Sequence, residues 1–464
     1  MGQKTIFFVV LLSTIFAFIF LFKFSSTNAA IDCLYLTASS PQEDKAYCRN
    51  ELSQIEAQLQ ELLKKQEVQK KQTGTLKGDV DYLASQISAL KAKIKARSLV
   101  IAQLKASITE KVSKISTLSE KIEEGQASLA QLLRNINGFD NENLVQLVLS
   151  DESLSGFYSN LESYDAIKKA VKDSVDEIRG IRTETEAEKK NLEEKQNAEA
   201  DAKAELESAQ KKVAQSEAEK KALLQISKQK ESEYQRLADE KKARAAKIRS
   251  ALFPLAGTSQ KIEFGTALIY AREAEKKTGV NPAFLLAILT QESNLGSNVG
   301  KCYLTNTSGP QAGYGVNINT GKVWPNLMKA SRDVPPFLEI TGRLGLDPLK
   351  TVVSCPIAGV AGYGGAMGPA QFIPSTWKLF EKRLASMLGY EVNPWNPRDA
   401  FIASALYLTD LGAVGSSYSA QIRAACKYYG SGGSTCSYGR SVMSFKAKIQ
   451  EDIDYLEQYG VAKL

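Results

Sequence analysis

A heptad repeat runs through the first half of this chain and limits what that half can fold into. From Leu76 to Ile122, apolar residues recur at alternating steps of four and three, and only Arg97 and Lys111 interrupt the pattern. This spacing gives a helix one narrow apolar stripe, which is typical of a coiled coil. A second charged stretch, from about residue 171 to 248, is rich in Ala, Glu and Lys. We therefore predict two long helices.

The segment between the two stretches breaks the repeat. Residues 138–164 contain Gly138, Gly156 and a cluster of apolar residues in place of the charged pattern. A long helix would reverse here, so we predict an antiparallel coiled-coil hairpin with a helical tip around residues 138–164. Such a stalk could dimerise, act as a spacer or bind a partner, and the sequence leaves these alternatives open.

The composition changes beyond Ala251, where the heptads end and Gly, Pro and aromatic residues become frequent. About 210 residues remain, a usual size for one hydrophobic core. We predict an all-α protein in which a stalk over residues 31–250 precedes a compact, mostly helical domain over residues 251–464.

The first 30 residues have the composition of an export segment. Lys4 precedes an apolar run from Ile6 to Phe22, and small residues follow. The run is slightly shorter than the roughly 20 residues of a spanning helix, so a cleaved signal peptide and an uncleaved anchor both remain open. Either one predicts a location in the cell envelope, outside the cytoplasm.

Export would allow the six cysteines to form disulfides. They lie as neighbours in sequence, which favours the pairs Cys33–Cys48, Cys302–Cys355 and Cys426–Cys436. Free buried thiols are the alternative, because not every exported protein is oxidised.

The chain contains no histidine, and this excludes whole classes of chemistry. Catalytic triads, Cys-His hydrolases and His-ligated zinc peptidases all need an imidazole. We expect no metal and no organic cofactor. The net charge is +7, but acidic and basic residues alternate along the chain, which argues against a nucleic-acid surface.

A carboxyl group at the end of an apolar helix is the first candidate for catalysis. Asn281 and Pro282 provide a helix start, an apolar run follows, and Glu292 lies near the helix end at Gly296. Burial and the negative end of the helix dipole should both raise the pKa of Glu292, as a general acid requires. By itself, an acidic residue at such a position is more often a surface charge.

A glycine-rich motif strengthens the case for Glu292. The sequence GGAMGPAQFIPSTW occupies residues 364–377, and WNPRDA follows at residues 395–400. Together with Glu292-Ser293 at a helix end, these motifs resemble the lysozyme-like lytic transglycosylases, in particular the membrane-bound type-B family. The resemblance covers residues 265 to 435. The third motif of that family, a Tyr-Asn pair, has only an approximate counterpart at Tyr428-Tyr429, because the asparagine is missing.

The resemblance implies a lysozyme-like fold and cleavage of peptidoglycan between N-acetylmuramic acid and N-acetylglucosamine. Glu292 would act as the single acid and base, and the product would carry a 1,6-anhydro-muramoyl end. A hydrolytic muramidase and a non-catalytic peptidoglycan-binding scaffold are the alternatives. The residues implied for substrate binding are Ser293, Tyr363, Met367, Gln371, Phe372, Ser375, Tyr428 and Tyr429. Packing in the core or capping of a helix is the alternative for Tyr363, Met367, Phe372 and Ser375.

The stalk carries a second resemblance. Its heptad arm, apolar segment LVLSDESL at residues 147–154 and returning arm are similar to the coiled coils of cell-wall hydrolases and hydrolase activators of the EnvC and PcsB type. This resemblance implies a partner in the membrane, an ABC-transporter-like division complex. A coiled-coil homodimer is a further hypothesis.

Overall fold

We describe the protein from a computed structural model, which covers residues 31–72, 74–140, 154–226, 231–254, 261–295, 300–359, 361–430, 433 and 435–459. Within these ranges the chain forms eleven α-helices and five short strands. The predicted all-α class is confirmed. The predicted export segment, residues 1–30, lies outside the described residues, as do residues 141–153 of the predicted tip.

The chain divides into two compact units. The first contains the described residues up to 72 together with residues 81–216, and the second contains residues 74–80 and those from 217 onward. Three helices build the first unit: α1 (Gln42–Lys70), α2 (Leu76–Asp140) and α3 (Leu154–Gln225). The last turns of α3 belong to the second unit.

The helices α2 and α3 form the predicted antiparallel hairpin. Arg97 contacts Glu205 at 2.7 Å, and Lys111 contacts Glu188 at 2.8 Å, so residue numbers fall along α3 as they rise along α2. These two cations are the residues that interrupt the heptad repeat. Each one meets a glutamate of the opposite arm, and a charge at a seam position is therefore compensated across the hairpin.

Helix α1 adds a third layer that the hairpin prediction did not include. The Gln103 side chain of α2 donates to the Cys48 carbonyl at 3.1 Å, and Lys95 pairs with Glu51 at 3.0 Å. A small apolar cluster lies beneath these contacts and consists of Cys33, Cys48, Ile55, Ala96 and Leu99. Two of its members, Ala96 and Leu99, lie off the heptad stripe of α2. They give α2 a second apolar face, against which α1 packs.

The second unit is a helical core with two small antiparallel sheets. Its helices are α4 (Glu231–Ser250), α5 (Phe264–Thr278), α6 (Pro282–Leu295), α7 (Val334–Arg343), α8 (Pro374–Leu388), α9 (Pro397–Asp410), α10 (Tyr418–Tyr428) and α11 (Ser437–Tyr459). Strands β1 (Leu252–Pro254) and β2 (Lys261–Glu263) pair with each other. Strands β3 (Cys302–Leu304), β4 (Gly315–Asn317) and β5 (Val323–Trp324) form the other sheet. The buried helix α6 lies at the centre of the core and packs along α11.

All six cysteines pair as neighbours in sequence. The bonds Cys33–Cys48, Cys302–Cys355 and Cys426–Cys436 are present, so the predicted pairing is confirmed. The first joins the start of the described chain to α1, the second closes the segment that contains β3 to β5, and the third joins α10 to the start of α11. In the described part of the chain, no helix combines the length and the apolar character needed to cross a membrane.

The packing of α1 makes a testable prediction. Leu99 is 3% exposed, and truncating such a side chain leaves a cavity, so Leu99→Ala should lower the free energy of unfolding of the first unit by about 2–5 kcal/mol. Val112 lies on the same helix but is 50% exposed, so Val112→Ala should cost less than about 0.5 kcal/mol. Urea unfolding followed by circular dichroism measures both. Equal effects of the two substitutions would contradict the packing of α1 on Leu99.

Candidate active site

Helix α6 presents Glu292 at its last turn. The helix starts as predicted: the Asn281 side chain accepts a hydrogen bond from the Phe284 amide at 3.0 Å, and Pro282 is the first helical residue. The residues from Ala283 to Leu289 have almost no exposed surface. Glu292 itself is partly buried. A rigid apolar helix therefore holds one carboxyl group at the edge of the core.

Tyr438 is the direct partner of Glu292. Its hydroxyl donates to Glu292 Oε1 over 2.6 Å, and the ring is 6% exposed. Burial raises the pKa of Glu292 above its ordinary value, while the hydrogen bond from Tyr438 acts in the opposite direction. Burial is the larger effect. The carboxyl group therefore keeps its proton to a higher pH than an exposed glutamate, which is the property of a general acid.

Sequence reasoning missed the tyrosine that contacts Glu292, because it singled out Tyr428 and Tyr429, for substrate binding, and not Tyr438. In the structure, Tyr429 stacks on Tyr438 with ring centroids 4.7 Å apart and an angle of 14° between the planes. The Cys426–Cys436 disulfide closes the short loop between the two tyrosines. The signal that could have found Tyr438 is its position two residues after the second cysteine of this pair.

The glycine-rich motif forms a tight loop before α8. Gly368 has φ of +58°, and a Cβ at this position would lie 1.8 Å from the carbonyl oxygen of Pro394. Gln371 also has a positive φ, +55°, and its side-chain amide donates to the Gly368 carbonyl at 2.7 Å. Backbone strain at a non-glycine residue persists only where its surroundings enforce it, and it is concentrated at functional sites. The contact at Pro394 places the start of the WNPRDA segment directly against the glycine-rich motif.

Tyr428 lies between the glycine-rich loop and Glu292. Its hydroxyl donates to the Ala370 carbonyl at 3.1 Å, next to Gln371. Burial raises the pKa of Tyr428 far above its ordinary value, and the nearby negative charge of Glu292 raises that pKa further. The structure therefore brings together Glu292, the two tyrosines of the approximate third motif, Tyr438 and the loop that carries Gln371.

The other residues implied for substrate binding occupy different environments. Met367 has no exposed surface, and Phe372 is 4% exposed and packs on Phe380 with ring centroids 4.7 Å apart. Both support the loop from the core side, which corresponds to the packing alternative. Ser375 donates to the buried Asp333 at 2.6 Å, and Tyr363 is 51% exposed. The side chain of Ser293 lies outside the described residues.

The segment between the motifs supports the glycine-rich loop. The Asn326 side chain donates to the Gly362 carbonyl at 2.5 Å, beside Tyr363. A Cβ on Gly365 would lie 2.5 Å from the Met328 side chain, so the glycine-rich loop packs directly against this segment. The sheet of β3 to β5 and the Cys302–Cys355 disulfide hold this segment in place.

Residues 184–428 match the model of a known family, the transglycosylase SLT domain, and this range is more than half of the 464-residue chain. The chain belongs to the transglycosylase SLT domain family. A comparison with curated proteins and another with solved structures found no match. The range that matches the SLT domain contains Glu292, Gln371 and Tyr428. It ends before Tyr438, so the partner of Glu292 lies outside the matched range.

The hydrogen bond between Tyr438 and Glu292 makes a kinetic prediction for this SLT domain. Tyr438→Phe removes a contact that lowers the pKa of Glu292, so that pKa should rise. Activity that needs the protonated acid is lost as the pH rises through its pKa, and the alkaline limb of the rate profile should therefore move to higher pH. The maximal rate should fall about 3- to 10-fold, as expected for one lost hydrogen bond. Rates of glycan release across pH test this, with Tyr418→Phe as the control. An unchanged alkaline limb would contradict the role of Tyr438.

A second prediction concerns stability. The folded protein binds the Glu292 proton more tightly than the unfolded chain does, because burial raises the pKa in the folded state. Wild-type stability therefore falls as the pH rises from the ordinary carboxyl pKa of about 4.3 through the raised one. Glu292→Gln should raise the thermal midpoint at pH 7 and have little effect at pH 4. Calorimetry measures both, and Glu263→Gln, at an exposed glutamate, is the matched control. A midpoint shift that is the same at both pH values would argue against the buried carboxyl group.

Proposed function

We propose that this protein is a peptidoglycan lytic transglycosylase in which Glu292 is the single acid and base. Family membership supports transglycosylase activity on peptidoglycan in general. The observation that carries the finer proposal is the partly buried Glu292, whose pKa is raised by burial and whose position is held by Tyr438 over 2.6 Å.

In the proposed reaction, Glu292 donates its proton to the glycosidic oxygen between N-acetylmuramic acid and N-acetylglucosamine. The C1–O bond breaks, and the acetamido oxygen of the muramoyl residue stabilises the positive charge that develops at C1. Glu292, now a carboxylate, takes the proton of the muramoyl 6-hydroxyl group. At the same time the oxygen of that hydroxyl group bonds to C1. The products are a 1,6-anhydro-muramoyl end and a free N-acetylglucosamine hydroxyl, and no water is consumed.

The surroundings of Glu292 support a mechanism with one carboxylate. In the described part of the chain, Tyr438 is the one side chain found to shift the pKa of Glu292, and no second acidic group has this effect. Glycosidases that rely on water or on an enzyme nucleophile generally use a pair of carboxylates. Attack by the sugar's own hydroxyl needs only one.

Substrate binding is proposed for residues around this carboxyl group. Tyr429 is 59% exposed and Tyr363 is 51% exposed, so both can offer a ring face to a sugar. Gln371 is partly exposed and can offer its amide oxygen, while its nitrogen is used by Gly368. Ser293, Met367, Phe372, Ser375 and Tyr428 remain proposals, although Met367 and Phe372 would act mainly by shaping the loop. Assignment to the membrane-bound type-B group is part of the same proposal.

The location is proposed from the substrate and the disulfides, and the partners are proposed from the coiled coil. Peptidoglycan as the substrate, together with three disulfides, indicates an extracytoplasmic location. We propose that residues 1–30 export the chain or anchor it. We further propose that the coiled coil binds an ABC-transporter-like division complex, or a second copy of the chain. The length and the charged surface of α2 and α3 support a docking role.

The decisive experiment is mass spectrometry of the fragments released from purified peptidoglycan. The wild-type protein should release fragments with 1,6-anhydro-muramoyl ends, Glu292→Gln should release none, and Glu263→Gln should match the wild type. Reducing ends in place of anhydro ends would show a muramidase. If neither the wild-type protein nor any variant releases fragments, the protein is not an enzyme of this kind. That result would favour the alternative function, a non-catalytic peptidoglycan-binding scaffold.

A further inference from the structure

One helix, α11, contacts Glu292 at one end and the last turns of α3 at the other. It runs from Ser437 to Tyr459, so its length is about 33 Å at 1.5 Å per residue. After Gly439 its sequence contains no glycine and no proline. It therefore has the properties of a stiff rod between two sites.

The first turns of α11 hold two consecutive residues of α6. Tyr438 donates to Glu292 over 2.6 Å, and Ser441, one turn later, donates to the Gln291 side chain over 2.7 Å. Gln291 is 8% exposed, so this second bond is shielded from water. A displacement of α11 along its axis would strain both bonds, because a hydrogen bond weakens steeply once its distance and angle leave a narrow range.

The last turn of α11 contacts a polar cluster on two other helices. The Tyr459 hydroxyl donates to Glu219, which lies near the end of α3. Lys241 of α4 pairs with the same carboxylate, donates to the Tyr459 hydroxyl at 3.2 Å and lies 4.6 Å from the centre of its ring. The side chains of Lys241 and Glu219 are 19% and 24% exposed. A partly buried charge pair that is shared with a hydroxyl fixes the mutual position of three helices.

Between its two ends, α11 packs against the core of the second unit. Val442, Ile449, Ile453 and Leu456 are buried in the core of the second unit. Packed interiors deform little, so a shift at one end of a buried helix is transmitted to its other end.

We propose that the last turns of α3 set the position of the catalytic acid through α11, and that Glu219, Lys241 and Tyr459 are positioning residues for Glu292. The proposal rests on the proposed function of Glu292. All of these residues belong to the second unit.

The test uses the full-length protein and two substitutions at the far end of α11. Tyr459→Phe removes one hydroxyl and keeps the ring, and Glu219→Gln removes one charge and keeps the shape. Each should lower the maximal rate of glycan release about 3- to 10-fold and leave KM unchanged, as expected when a bond that positions the acid is weakened. Amide hydrogen exchange at residues 436–445 should become faster in both variants. The control is Lys114→Gln, which breaks the pairs with Glu184 and Glu188 in the first unit.

A double-mutant cycle separates positioning from a general loss of stability. If Tyr459 acts through Tyr438, then Tyr459→Phe should have little further effect on the rate when Tyr438→Phe is already present. Additive effects, or wild-type exchange at residues 436–445 in both single variants, would overturn the proposal. The two hypotheses fail in distinguishable ways. Absence of glycan release by the wild-type protein refutes the proposed function, whereas hydrogen exchange reports on α11 without any activity.

Discussion

The second unit holds one carboxyl group partly out of water at the end of a buried helix, and the candidate site is arranged around this constraint. Removing a carboxylate from water is unfavourable, and the raised pKa of Glu292 reports that cost. The hydrogen bond from Tyr438 offsets part of it. The buried residues 283–289 fix α6 in the core and hold Glu292 at its edge. The result is a carboxyl group that keeps its proton to a higher pH than an exposed glutamate does.

The glycine-rich loop meets a related constraint, since it must pass very close to another backbone. Gly368 lies against the Pro394 carbonyl, and no residue with a Cβ could take its place without moving one of the two segments. The loop then forces Gln371 into a left-handed conformation. Tyr428 holds the loop through a hydrogen bond from its hydroxyl to the Ala370 carbonyl. The same tyrosine lies within the electrostatic influence of Glu292, so the loop and the acid are held by neighbouring side chains.

The first unit follows a different principle. Its helices pack along long apolar stripes, and ion pairs link the two arms of the hairpin. The seam charges at Arg97 and Lys111 are each met by a glutamate across the hairpin. The Cys33–Cys48 disulfide and the cluster around Leu99 add α1 to this arrangement.

Local patterns were sufficient for much of the fold. Heptad spacing predicted the antiparallel helices, cysteine order predicted all three disulfides, and the capped apolar run predicted a helix that ends near Glu292, because each of these depends on residues close together in sequence. The packing of α1 against Ala96 and Leu99 was not predicted, since it uses a face of α2 outside the heptad stripe. The choice of Tyr438 over Tyr428 or Tyr429 as the partner of Glu292 was also beyond the sequence. Glu292 and Tyr438 are 146 residues apart, and only the packing of α11 along α6 brings them into contact. The sequence thus determined which carboxyl group lies at the end of the apolar helix. The tertiary structure decided which neighbour holds it in place, because a hydrogen bond between distant residues depends on how the helices pack.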